Sequence, residues 1–223
     1  MNYRIRAALA LVLAAPLAAA AFGGWAVVTL DDVPTHLVAG HRTPITFAVR
    51  QHGVRLIPQL KPSVELRSGS NITTVAATPT EREGYYEAIV VAPSPGTWTM
   101  TVQSGFGNSR TTLLPLTVLA PNEAPPRAVA ESDRGHQLFY GKGCTTCHVR
   151  GSEGNTDFTV GPQLTGRRYA AEVVGKFLDD PESSPLSKAN VNQYARMPRL
   201  GLSAREISAL VAFLNTSEVA ARN

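Results

Sequence analysis

The sequence predicts an all-β sandwich followed by an all-α domain, and three observations support this. Between Trp25 and Ala120 no helical apolar stripe occurs, while short β-rich runs recur between Pro, Gly, Asn and Ser breaks. Residues 121–131 carry Pro121, Pro125 and Pro126 with no apolar period, so they read as an extended linker and a domain boundary. Beyond the linker, helical patterns occupy Ser132–Lys142 and Ser203–Asn215. With 43% apolar and 17% charged residues over 223 positions, the chain can bury a real core. A net charge of +4 is too mild for a protein that neutralises phosphates, so nucleic acid is not an expected partner.

Residues 1–22 have the order of an export signal. Arg4 and Arg6 precede the uncharged apolar run Ala7–Leu17, and Ala18-Ala19-Ala20 supplies the small residues of a cleavage site. The competing reading is an uncleaved anchor giving membrane association, because no charge occurs from Ala7 to Leu30. Pro16, Gly23 and Gly24 interrupt that longer run. Either way, the rest of the chain is expected in the periplasm or on the outer face of the cytoplasmic membrane.

Residues 23–120 then form the β domain. Trp25–Leu30 reads as its first strand; Ile45, Phe47 and Val49 alternate with polar or small neighbours, as do Trp98, Met100 and Val102. Further strands are expected at Val64–Arg67, Ile72–Ala76, Tyr85–Ala92 and Thr111–Leu119, with Pro93-Ser-Pro-Gly96 as a turn. About seven strands at this spacing suggest an immunoglobulin-like sandwich. The run from Val38 to Gly53, Leu60-Lys-Pro, Gly84-Tyr-Tyr and Gly96-Thr-Trp98 resembles the YtkA-like exported domains. That resemblance implies an immunoglobulin-like fold and a link to copper handling and oxidase assembly. No cysteine lies in this region, so a copper centre that needs thiolate is excluded. His36, His41, His52 and Met100 remain as copper-ligand types without a ligand spacing; the alternative for the domain is a docking or spacer module.

Residues 132–223 carry the chemistry. Cys144-Thr-Thr-Cys147-His148 is a C-x-x-C-H motif, in which two thiols add to the two vinyl groups of one haem and the adjacent imidazole ligates iron. These are the only two cysteines, so a disulfide framework and a four-thiolate metal site are excluded. A thioredoxin-like dithiol lacks the strand that should lead into it. The first helix is expected to begin at the capping residue Ser132, and Gly135 lets a second helix approach closely. That second helix has a capping box in Ser203 and Glu206, with Ile207, Leu210, Val211 and Leu214 on one face.

These features together resemble the monohaem class I cytochromes c of the His/Met type, over residues 132–216. The resemblance implies that the two terminal helices cross, with Phe213 near Phe139. It also implies that the Pro162 carbonyl, in Gly161-Pro-Gln-Leu164, accepts a hydrogen bond from His148 and fixes its orientation. Met197, in Tyr194-Ala-Arg-Met-Pro-Arg-Leu200, is then the second axial ligand to the iron, because Met1 is the initiator and Met100 lies in the first domain. Of Arg167, Arg168 and Tyr169, the resemblance offers Arg167 as a haem-propionate contact. His136 is a rival ligand that should point away from the distal side.

A thioether opposite an imidazole leaves no open coordination position, so the expected function is one-electron transfer with a single covalent haem c rather than catalysis. A haem-based redox or small-molecule sensor and a copper-handling assembly factor are the alternatives. The expected partners are redox proteins, among them a membrane oxidase or reductase. Lys142, Arg150, Arg196 and Arg199 flank the haem motif and Met197, and are expected to form a basic rim for an acidic partner patch. The linker prolines further suggest that few contacts join the two domains.

Overall fold

The computed structural model describes residues 24–154, 160–182 and 196–216. The signal or anchor segment, residues 1–22, and Tyr194 ahead of Met197 lie outside the described residues. No helix among the described residues is long and apolar enough to cross a membrane.

The N-terminal region is a β-sandwich of two sheets. Its strands are β1 (Ala26–Leu30), β2 (His36–Val38), β3 (Thr43–Gln51), β4 (Arg55–Leu56), β5 (Ser63–Ser68), β6 (Asn71–Ala76), β7 (Thr78–Pro79), β8 (Tyr85–Val90), β9 (Gly96–Gln103), β10 (Arg110–Thr112) and β11 (Leu116–Leu119). One sheet has the order β1-β3-β8-β7 with β4 on β3; the other runs β2-β11-β9-β5-β6 with β10 on β9. Alternation places Phe47, Val49, Tyr86, Ala88, Leu66, Trp98, Met100 and Val102 in the space between the sheets, all buried. The expected strand Thr111–Leu119 is divided into β10 and β11, because Pro115 cannot donate to a ladder. The short strands β2, β4 and β7 have too few residues to show a period in the sequence. Trp98 Nε1 donates to the Ser94 carbonyl at 3.0 Å, tying the proline turn to the core. The buried Tyr86 hydroxyl donates to the Ile57 carbonyl at 2.6 Å and accepts from Leu60 N at 3.0 Å, which satisfies it and anchors the loop after β4.

The C-terminal domain is helical, with α1 (Glu131–Gly141), α2 (Ala171–Asp179) and α3 (Ala204–Leu214). Ser132 is not the cap: α1 starts at Glu131, and its N-cap Ala130 makes no side-chain bond. Extended backbone delivered by the linker sets that start, while Glu131 and Asp133 place negative charge at the positive end of the helix dipole. At the α1–α3 crossing, Gly135 lies against the backbone of Ala209 and the Cβ of Phe213. Phe139 and Phe213 meet there with ring centroids 5.4 Å apart. Ser203 and Glu206 close the capping box of α3 from both sides.

The expectation of few interdomain contacts is overturned. Register pairs Val27 with Arg50 and Thr29 with Ala48 on the outer face of the first sheet, where strands of a free sandwich would meet water. All four are buried. Segment 141–143 sits on this face: Gly141 packs against Val33, and Gly143 against Val27 and the Val28 carbonyl. Lys142 Nζ donates to the Asp31 carbonyl at 2.7 Å, and Arg134 donates to the Val33 carbonyl at 2.8 Å. The linker, by contrast, is exposed from residue 121 to 130. Prolines interrupt the chain path, but they do not prevent the two halves from meeting through residues on either side.

Gly135→Ala is expected to destabilise the protein by roughly 2–3 kcal/mol, because the added methyl meets backbone that cannot rotate away. Thermal or denaturant unfolding measures this, and an unchanged midpoint would refute the crossing.

Candidate haem site

The site begins where α1 ends. Gly143 adopts φ +78°, which turns the chain sharply into a short 3-10 turn, Cys144–Thr146. Cys147 N and His148 N both donate to the Cys144 carbonyl, at 3.1 and 2.9 Å. Cys144, Cys147 and His148 are thus placed on one compact turn. Both cysteines are free thiols. Burial pushes Cys144 up to about 12 and Cys147 to about 11, so both are protonated at neutral pH. A dithiol redox pair needs a lowered thiol pKa, and this turn supplies the opposite.

Residues 161–164 run alongside the turn, with Gly161 N donating to the Cys147 carbonyl at 2.9 Å and Leu164 N to the Val149 carbonyl at 2.8 Å. The His148 ring rests on Gly161: a Cβ there would lie 2.7 Å from His148 Nδ1. Nδ1 is 2.9 Å from the Pro162 carbonyl oxygen. A carbonyl only accepts, so Nδ1 carries the proton and Nε2 keeps its lone pair. Burial lowers the His148 pKa while the Pro162 carbonyl raises it, and burial prevails. The ring is therefore neutral at pH 7, the form that ligates a metal.

Met197 is half-buried and packs against the apolar core, followed by Pro198. Arg167 and Arg168 are exposed, whereas the Tyr169 hydroxyl is buried with no hydrogen-bond partner. Burial raises the Tyr169 pKa, against the lowering effect of Arg167 and Arg150. Asn215 fixes this residue through its backbone, accepting from Tyr169 N at 2.8 Å and donating to Tyr169 O at 3.1 Å. Two half-buried protonated thiols, a neutral imidazole with an available Nε2 and an orphaned tyrosine hydroxyl fit a covalently held haem with carboxylate side arms.

Residues 132–218 match the family model described as Cytochrome c. The match covers the helical C-terminal domain and leaves the sandwich outside it. No curated protein matches the chain. A cytochrome c domain implies covalently bound haem c and supports haem-based electron transfer.

Other candidates take different positions. His136 stacks on Phe213 with centroids 4.7 Å apart, and its Nε2 lies 3.2 Å from Glu153 Oε1, so it is engaged at the helix crossing. Tyr140 donates to the same carboxylate. Met100 is fully buried in the sandwich core, His36 Nδ1 lies 3.1 Å from Thr35 Oγ1, His41 is exposed, and His52 meets Trp25 at 5.4 Å between ring centroids. Among the described residues, no group of three or more His, Cys, Asp or Glu is placed to hold a metal ion.

The four-cation rim does not form. Lys142 is only 2% exposed and bonds Glu206 Oε1 at 2.9 Å; Arg150 is 3% exposed, donates to the Thr216 carbonyl at 2.7 Å and stacks over Phe213. Arg150 is committed inside the C-terminal domain, and Lys142 is shared between Glu206 and the Asp31 carbonyl of the sandwich. Arg196 and Arg199 are exposed, with Arg199 2.9 Å from Asp180. The sequence reading missed the buried roles of Lys142, Glu206 and Arg150, because a charge carries no sequence signal of burial until its partner is known.

Burial alone would raise the Glu206 pKa, but the Ser203 N–H and the Lys142 ammonium outweigh it and hold the carboxyl below its ordinary value. A depressed folded-state pKa means that the pair's stabilisation is present above the ordinary carboxylate range and is lost as pH falls through the folded value. Glu206→Gln should therefore cost roughly 3 kcal/mol at pH 7 by leaving Lys142 buried without its counter-charge. It should also flatten the acid side of the stability profile, as read by denaturant unfolding across pH.

Proposed function

We propose that this chain is an exported, one-electron carrier of a respiratory or related redox chain, with a single haem c ligated by His148 and Met197. The observation that carries this reading is the geometry of His148. It follows the two thiols on one turn, is neutral, and is held by the Pro162 carbonyl so that Nε2 is the available nitrogen. When bound, the haem supplies a one-electron couple at iron, tuned by its axial ligands and by the polarity around it.

The chain's own residues have separate tasks in this reading. Cys144 and Cys147 fix the group covalently, as each S–H adds across a vinyl group. The Pro162 carbonyl keeps His148 from rotating and raises the basicity of Nε2. Met197 would be the second residue to hold the haem iron, and with both ligands supplied by the protein the haem would serve a carrier rather than an enzyme. Tyr169, with its buried unpartnered hydroxyl, is a better propionate donor than the exposed Arg167. The sandwich is read as a YtkA-like module, and export rests on Arg4, Arg6 and the apolar run that follows them. Arg196 and Arg199 are the exposed cations beside Met197 that would meet an acidic redox partner.

Acid–acetone extraction of the purified protein should leave the haem on the chain, and release of the haem would refute attachment through Cys144 and Cys147. Met197→Ala should lower the midpoint potential, abolish the long-wavelength methionine–iron band of the oxidised form and admit carbon monoxide to the reduced form. An unchanged visible spectrum in that variant would overturn the assignment.

A further inference from the structure

The sandwich meets the C-terminal domain at two segments, the one that leads into Cys144 and the one that carries Met197. On one side, Gly143, immediately before Cys144, lies against Val27: a Cβ on Gly143 would stand 2.8 Å from Val27 Cγ1. On the other, Gly53 in the β3–β4 turn lies against the segment that carries Met197. A Cβ on Gly53 would be 3.0 Å from the Arg196 carbonyl oxygen and 3.7 Å from Pro198 Cδ. The same Cβ would be 3.7 Å from Val27 Cγ2, so Val27 and Gly53 form one continuous surface under both segments. Gly53 and Val27 are buried. The turn is firmly built: Gly53 N donates to the Arg50 carbonyl at 3.3 Å, His52 N to the Trp25 carbonyl at 3.1 Å, and Gly53 sits at φ +73°.

We propose that the sandwich seats the Met197 loop, with Gly53 and Val27 as positioning residues for the distal ligand. The inference rests on the reading of Met197 as that ligand. A thioether bound to iron is a weak ligand on a loop, and a loop without helical bonds keeps its position only through what it packs against. Residues 196 and 198 pack against a turn of the other domain, so the first half of the chain supplies part of the rigidity of the haem site. The absence of a side chain at Gly53 allows the Arg196 carbonyl to approach this closely.

The test uses the full-length holoprotein. Gly53→Ala should displace the Arg196–Pro198 segment, weaken the long-wavelength methionine–iron band and raise the affinity for added imidazole roughly tenfold, the change that about 1.4 kcal/mol produces. Gly40 has the same φ of +73° but open space around it, so Gly40→Ala imposes the backbone strain without the contact and should leave both readings at wild type. Val27→Ala removes the side chain that supports Gly53 and Gly143, without backbone strain, and decides the matter if Gly53→Ala does not fold. It should change both readings in the same direction and speed hydrogen exchange in the Met197 peptide. Wild-type bands, imidazole affinity and exchange in the folded Gly53→Ala and Val27→Ala proteins would overturn the seating. If the wild type itself lacks the methionine–iron band, the ligand assignment fails instead; exchange in the Met197 peptide of Val27→Ala then still decides whether the sandwich seats the loop.

Discussion

The close backbone approach of α1 and α3 at Gly135 is the constraint on which the C-terminal half depends. With Gly135 against Ala209 and Phe213, the two helices cannot slide without separating main chain from main chain. Their ends are then fixed as well. The end of α1 delivers Gly143 and the Cys144 turn, and the start of α3 follows the Met197 segment directly. Lys142 joins these ends, since its ammonium reaches Glu206 in the first turn of α3 while its carbonyl accepts from Thr29 of β1. One crossing therefore positions the Cys144–His148 turn and the base of the Met197 segment.

A second layer of constraint comes from the sandwich. A strand face with Val27, Thr29, Ala48 and Arg50 buried on it cannot belong to a freely tethered module, because an uncovered sheet face would leave them in water. The bonds that cross the seam run largely from side chains to backbone carbonyls, Arg134 to Val33 and Lys142 to Asp31. Such bonds specify register, since shifting the domains by one residue would leave buried charged donors without acceptors. The seam is thus a fixed interface, although an exposed linker joins its two sides.

Much of this was legible in the sequence, for definable reasons. Alternation in β3 and β9 is strong because each has one face in the core, and Ser203 with Glu206 announces α3 through short-range chemistry. The C-x-x-C-H motif and the glycine at the crossing are local signals of the same kind. What the sequence hid is long-range. Lys142 and Arg150 look like members of a basic rim until Glu206 and Thr216 are folded against them, and nothing local to Gly53 shows that Arg196 lies above it. Ser132 looked like a cap because the linker's ability to end in an extended Ala130 carries no side-chain signature.

Burial of the cations also changes the electrostatic character of the haem site. Lys142 and Arg150 are held by Glu206 and by the Thr216 carbonyl, so their fields are largely spent on orienting α1 and α3. Near the Met197 segment, Arg196 and Arg199 remain at the surface, and Arg199 shares its charge with Asp180. Among the described residues beside Met197, Arg196 and Arg199 are the exposed cations, and such surface charges are screened by salt beyond about 10 Å at 0.1 M. The surface there is composite: β3–β4 turn residues and the Met197 segment lie side by side, so neither domain alone shapes it.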